Sequence, residues 1–478
     1  MLAVTAVLYA LAAPPASDAQ TRPGVPVPAP TSPFWGGVPT GTASAQPIDL
    51  TLYDALHRAL DHNLGVLSAE EAVNRAHGER WLALAELLPN VYGTASAAER
   101  KTNLEAFGFP IQDPFPRVVG PYHVVEARVF LRQSILNFQA INDARAEGYR
   151  LSAAKYSYRS ARDLIVLVTA NLYLEAVAAG ARAEAARAQL ETARALHNQA
   201  LDMKTAGTVA GIDVLRAEVR VSLEQHRVTS AANTFEKAKL QLARLIGLPL
   251  RQEFTLTPGV PEVPLPPFSL EEVVAQAYER RPDFLAAQQR VKAAEADARA
   301  ARAGLLPSLD FAGDYGTIGL TLPQALPTFS VAGQLNVPIF QGGRTQGRTA
   351  QAQADLSQRR FELEDLRASI YYNTRSAFLD LKAAEEQRQT ATRARQLADL
   401  QLTQARDRFA AGVANNLEVV QAQEAVAAAL DRKRKEAARN ELHELRTRLL
   451  RLESLLAQSD PDFHRPSLAA HRDRKSVV

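Results

Sequence analysis

The segment from Gly342 to Thr349 reads G-x-x-x-x-G-R-T, one residue short of a loop that cradles phosphate on backbone amides. Arg348 stands where such a loop needs Lys, and no parallel α/β pattern surrounds it, so nucleotide binding is set aside. The nine histidines contain no H-E-x-x-H and no ligand-spaced cluster, and two methionines make no soft-metal tract. Cysteine is absent, which removes disulfides, thiolate metal sites, a Cys nucleophile and an acylated N-terminal Cys. No cofactor, metal or catalytic constellation is expected. A net charge of +3 with 22% charged residues and no basic block gives no support to nucleic acid as a partner.

Two carboxylates sit at related places and offer a different chemistry. Asp213 follows Gly207, and Glu418 follows Gly412, each where one long helical pattern ends and a shorter one starts. The glycines can take positive φ and stop the long helices. An acid in a first helical turn is favoured by the helix N-terminus, so capping explains both acids, while a ring of them around a pore would favour cations. The two readings are compatible.

The elements that place these turns repeat. Leu270 to Pro307 matches Leu52 to Pro89 at a constant offset, pairing Ala59 with Ala277, Ala76 with Ala294 and Leu87-Leu88-Pro89 with Leu305-Leu306-Pro307. After Pro89 and Pro307 the period changes from helical to two: Val125, Ala127, Val129 and Leu131 alternate with Glu126 and Arg128, and Phe329, Val331, Gly333 and Leu335 with Ser330 and Gln334. Each repeat holds one strand pair, joined by loops 103–120 and 319–326. Long helices follow over 141–204 and 344–410, then shorter ones over 212–246 and 416–455. Pro338, Gly342 and Gly343 mark the exit from the last strand, the glycines allowing a bend into the helix.

Divided accordingly, the chain has a signal-like apolar segment at 1–19, a Pro-rich leader at 20–48 and repeat 1 at 49–250. A Pro-rich connector at 251–267, repeat 2 at 268–455 and a charged tail at 456–478 complete it. No uninterrupted apolar run of ~20 residues is present, so a membrane-embedded form must be a β-barrel. Four strands of ~12 residues, tilted about 45°, would cross a bilayer but cannot close, so several copies must share one barrel. The expected fold is mainly α with a β-barrel portion: a long antiparallel helical tunnel continuous with a membrane barrel completed by oligomerisation, four strands per chain, internally duplicated.

Residues 50 to 455 resemble the TolC-like outer-membrane efflux protein family. The resemblance rests on the duplicated unit, the two Leu-Leu-Pro sites, Pro338-Ile339-Phe340-Gln341-Gly342-Gly343, and a turn Gly followed by Asp213-Val214-Leu215 or Glu418-Val419-Val420. It implies a homotrimer in outer-membrane lipid, a 12-stranded barrel and a 12-helix periplasmic tunnel. It also implies docking to a periplasmic adaptor (membrane fusion) protein and an inner-membrane pump or secretion ATPase, as the passive exit duct of a tripartite efflux or type I secretion system with no enzyme activity. Some members close the tip with a Tyr before the turn Gly, an Arg after it and a second acid one helical turn on; here those places hold Phe409, Ala414 and Gln421. The rival expectation is a periplasmic coiled-coil adaptor or scaffold that forms no pore.

Overall fold

The structure, a computed structural model, describes residues 32–107, 116–207, 210–257 and 269–411, with single positions between Val413 and Ala429. The signal-like segment, most of the Pro-rich connector, Gly412, Ala414, most of the helix expected over 416–455 and the tail lie outside the described residues.

A short strand β1 (Ile48–Leu50) leads into α1 (Leu52–His62) and α2 (Leu64–Ala85). Sequence periodicity predicts one helix here; the chain instead breaks at Asn63, whose extended backbone closes α1 and whose side chain caps α2 through the Gly65 N–H at 2.9 Å. The hairpin β2 (Asn90–Asn103) and β3 (Val118–Leu136) follows, then α3 (Phe138–Thr205) and α4 (Gly211–Leu245). After β4 (Phe254–Leu256), the second repeat runs α5 (Leu270–Arg280), α6 (Pro282–Ala303), β5 (Ser308–Gly319), β6 (Leu326–Asn336) and α7 (Arg344–Ala410). Its helix breaks at the equivalent place, before Pro282, and both repeats begin with a capping box, Thr51 with Asp54 and Ser269 with Glu272.

Helices α1, α2 and α4 contain 11, 22 and 35 residues, together the length of the 68-residue α3. All three pack on α3, so stacked end to end they cover its span of ~100 Å. Where α1 and α4 meet, Leu50, Ala59, Val66, Ile165, Leu172, Tyr173, Leu242 and Ile246 form the main buried cluster. The described part of the leader is tied into this joint: Gly37 bridges Asn63, β1 pairs in parallel with β4, and the Tyr173 hydroxyl reaches the carbonyls of Leu50 and Thr257 at 3.0 and 2.9 Å.

The repeats join through α3 and α6, whose facing surfaces are largely alanine, among them Ala144, Ala146, Ala153, Ala293, Ala296 and Ala300. Small side chains let the two helices approach closely. One 18-residue window of α3 reaches a mean hydropathy of 1.8, enough by length and composition to cross a membrane. Half of it is buried inside the chain.

Candidate functional site

The strands form one antiparallel sheet in the order β2-β3-β5-β6, so β3 and β5 carry the seam between repeats and β2 and β6 are its edges. Register fixes which side chains share a face, because directly opposed residues project to the same side. Val91 opposes Leu131, Val129 opposes Tyr315, Tyr315 opposes Phe329, Gly313 opposes Val331 and Leu309 opposes Leu335. This face is apolar, and Val91, Val129, Tyr315, Phe329, Val331 and Leu335 are each more than half exposed.

The opposite face is polar and internally bonded. Arg128 forms ion pairs with Glu126 on its own strand and Asp314 on β5, and donates to the Thr328 hydroxyl on β6 at 2.6 Å. To reach β6 its side chain crosses Gly316, the residue directly between Arg128 and Thr328 in the register. A Cβ at Gly316 would collide with the Ala127 carbonyl and the Arg128 side chain. One guanidinium thus connects three strands drawn from both repeats. Tyr92 and Phe130, stacked at 5.1 Å, share this face with the polar groups. Sequence reasoning placed Arg128 on a polar face but missed its partners, because the β3–β5 register joins distant parts of the chain.

At the far end of α3, Ala206 and Gly207 turn the chain, Gly207 at φ +75° with open space around its Cα. Asp213 lies in the first turn of α4, where the N-cap is Ala210 and no side chain caps the helix. Its carboxylate pairs with Arg216 at 3.2 Å within the same helix. Glu418 behaves differently, accepting from Arg408 in the last turn of α7 at 3.1 Å and so bracing the second turn from one side to the other. Arg408 was not singled out from sequence, where attention fell on its neighbour Phe409 and on positions after the turn glycine. Gln421 is exposed; beside it Ala422, fully buried, packs against Ala405 and Leu402.

Between the sheet and the helices, Pro89 and Pro307 immediately precede β2 and β5, while Pro338 follows β6. Gly342 and Gly343 take φ +57° and +79° and turn the chain into α7. Just inside the helical wall lies a titratable cluster on α3 and α6. Arg150 bonds Asp297 at 2.5 Å and also pairs with Glu147. Burial pushes the Asp143 carboxyl above its usual range, aided by the Asp297 charge and opposed by Arg150; burial likewise pushes Asp297 up, opposed by Arg150. No group of side chains suited to a metal ion occurs among the described residues.

A family profile described as "Outer membrane efflux protein" matches residues 55–248 and 273–456, covering both repeats. The chain belongs to the outer membrane efflux protein family. Its place is the outer membrane, and its relatives are outer-membrane channels rather than enzymes. The pyoverdine export outer membrane protein OpmQ of Pseudomonas putida is 26% identical over 352 residues, 73% of this chain and 72% of OpmQ. The alkaline protease secretion protein AprF of Pseudomonas aeruginosa is 25% identical over 401 residues, 80% of each chain. Among solved structures, the outer-membrane channel OprN superposes with a TM-score of 0.72 at 20% identity, over 84% of this chain and 89% of OprN. VceC of Vibrio cholerae gives 0.71 at 19% identity, over 84% and 95%. Both share the fold of this efflux protein.

Proposed function

We propose that this efflux protein is the subunit of a passive exit duct, in which several copies close one barrel in the outer membrane and their helices enclose a periplasmic tunnel. The observation that carries the reading is the four-stranded sheet, with one exposed apolar face, one bonded polar face and two unpaired edges. In lipid each unpaired edge amide or carbonyl costs several kcal/mol, so β6 of one copy pairs with β2 of the next. Three copies give 12 strands, a barrel wide enough to hold an aqueous lumen lined by the Arg128 face. The two-helix-wide wall of each repeat continues that lumen toward the turns at Gly207 and Gly412.

The duct supplies no energy, so it works with an inner-membrane pump and a periplasmic adaptor that docks near the tip. The partners choose the cargo: a small exported molecule, as in the name of OpmQ, or a secreted protein, as in that of AprF. Asp213, in the first turn of its helix, and Glu418, after the second turn, place carboxylates around the narrow end, favouring cations there. The test is single-channel recording from the purified oligomer in a planar bilayer, wild type against Asp213→Ala/Glu418→Ala. Discrete steps with reduced cation selectivity in the variant are expected. Absence of steps, even after substitutions that loosen the turns at Gly207 and Gly412, would favour a scaffold that forms no pore.

A further inference from the structure

The most exposed large apolar side chains among the described residues are consecutive, Ile339 at 96% and Phe340 at 88%. They lie between Pro338 and the positive-φ glycines, in a segment held from its far side. The Arg344 N–H donates to the Gln341 carbonyl at 3.1 Å, and the Gln341 side chain meets buried Thr345. That fixed turn keeps the pair projecting rather than folding back.

Their height relative to the sheet follows from strand length. The 12- and 11-residue strands β5 and β6, at ~3.3 Å per residue and a tilt of about 45°, rise roughly 25–28 Å, close to the hydrocarbon thickness. Ile339 and Phe340 come three and four residues after Asn336, the end of β6, which carries them some 7–10 Å further. With the hydrocarbon core ending ~15 Å from the midplane and the headgroup layer ~20–22 Å from it, the pair lies at the headgroup layer of the periplasmic leaflet, outside its acyl chains. The apolar sheet face leads down to them through Leu335 and Val337, both more than half exposed.

Charge selects lipid over a second protein surface. Arg344 and Arg348, one helical turn apart at the start of α7, are exposed, and neither guanidinium has a carboxylate partner among the described residues. An apolar pair that includes an aromatic ring, followed by two unneutralised guanidiniums, matches the membrane–water interface and its phosphates.

We infer that the Pro338–Arg348 segment is a phospholipid anchor: Ile339 and Phe340 rest in the headgroup layer of the periplasmic leaflet, and Arg344 and Arg348 hold headgroup phosphates. The phosphate-loop-like spelling of Gly342 to Thr349 thus meets phosphate in a lipid, not a nucleotide. This inference rests on the membrane reading of the sheet given above.

The test uses the full-length oligomer in vesicles of phosphatidylethanolamine and phosphatidylglycerol. The two native tryptophans are replaced (Trp35→Phe/Trp81→Phe), and a single reporter is added, either Phe340→Trp or, on the sheet, Phe329→Trp. Quenching by lipids brominated near the headgroup or deep in the chain is compared with quenching by aqueous iodide. Phe340→Trp is expected to be quenched best by shallow bromines. Brominated phosphatidylglycerol at low mole fraction should quench it beyond its bulk share, and Arg344→Gln/Arg348→Gln should cut that preference about fivefold per residue removed. Quenching of Phe340→Trp by iodide alone would overturn the anchor in favour of a water-facing segment. Protection from both quenchers would assign its cover to another copy of the chain. If Phe329→Trp also escapes every brominated lipid, the membrane reading itself fails. Deep quenching there with no lipid contact at position 340 refutes the anchor alone.

Discussion

Asn63 offers the sharpest test of how the stacked helices are held. It is fully buried at the α1–α2 break; its Oδ1 accepts from the Gly65 N–H, and its Nδ2 faces the carbonyls of Phe34 and Gly36 at 3.0 Å and Leu245 at 3.3 Å. Two N–H bonds serve three acceptors, so the amide ties the leader and the end of α4 to the cap of α2. Asn63→Ala removes a helix cap, about 1 kcal/mol, and leaves at least one buried carbonyl unpaired, about 1–3 kcal/mol each. The expected loss is about 2–4 kcal/mol. Asn63→Asp separates the two contributions, since it keeps the cap but points a carboxylate at three carbonyls; it should be worse than Asn63→Ala. Guanidinium unfolding followed by fluorescence reads this directly, because Trp35 packs against the same cluster. A loss below about 1 kcal/mol in Asn63→Ala, or a milder Asn63→Asp, would refute the reasoning.

Other outcomes follow from the same geometry. Asp143 and Asp297 are raised in the folded state, so their protonated forms favour folding. That contribution is full below the unfolded carboxylate range and is lost as pH rises through the raised folded values. Thermal melts from about pH 4 to about pH 7 should therefore show a stability loss that Asp143→Asn reduces. Arg128→Gln leaves Glu126 and Asp314 facing each other on the sheet's polar face, and the unboiled oligomer should dissociate at a lower temperature on gels than Thr328→Val, which keeps every charge. Gly207→Ala has room for its methyl group and meets only the left-handed backbone penalty, about 1–2 kcal/mol, measurable as faster protease cleavage at the turn.

What the sequence discloses depends on how local the cause is. Strands and long helices announce themselves through period, and the strand that begins after Pro307 does so as clearly as the helix at Arg344. The break at Asn63 is hidden, since its buried partners come from residues 34, 36 and 245. In the second repeat the same break carries a visible mark, Arg281-Pro282, where proline disfavours a helical residue before it. The Arg128 bonds and the Arg408–Glu418 pair share the first difficulty: register between repeats, and geometry around a turn, emerge only when the chain is folded.

If other copies complete the open sheet, β6 of one chain lies beside β2 of the next. Native cysteine is absent, so engineered pairs report without background. Cysteines scanned along Thr94 to Ala98 of β2 and Thr328 to Ala332 of β6, oxidised in the membrane, should give a ladder of linked chains that ends at a closed ring of three. Intramolecular links alone, or none at any register, would show that β6 and β2 of neighbouring copies do not pair.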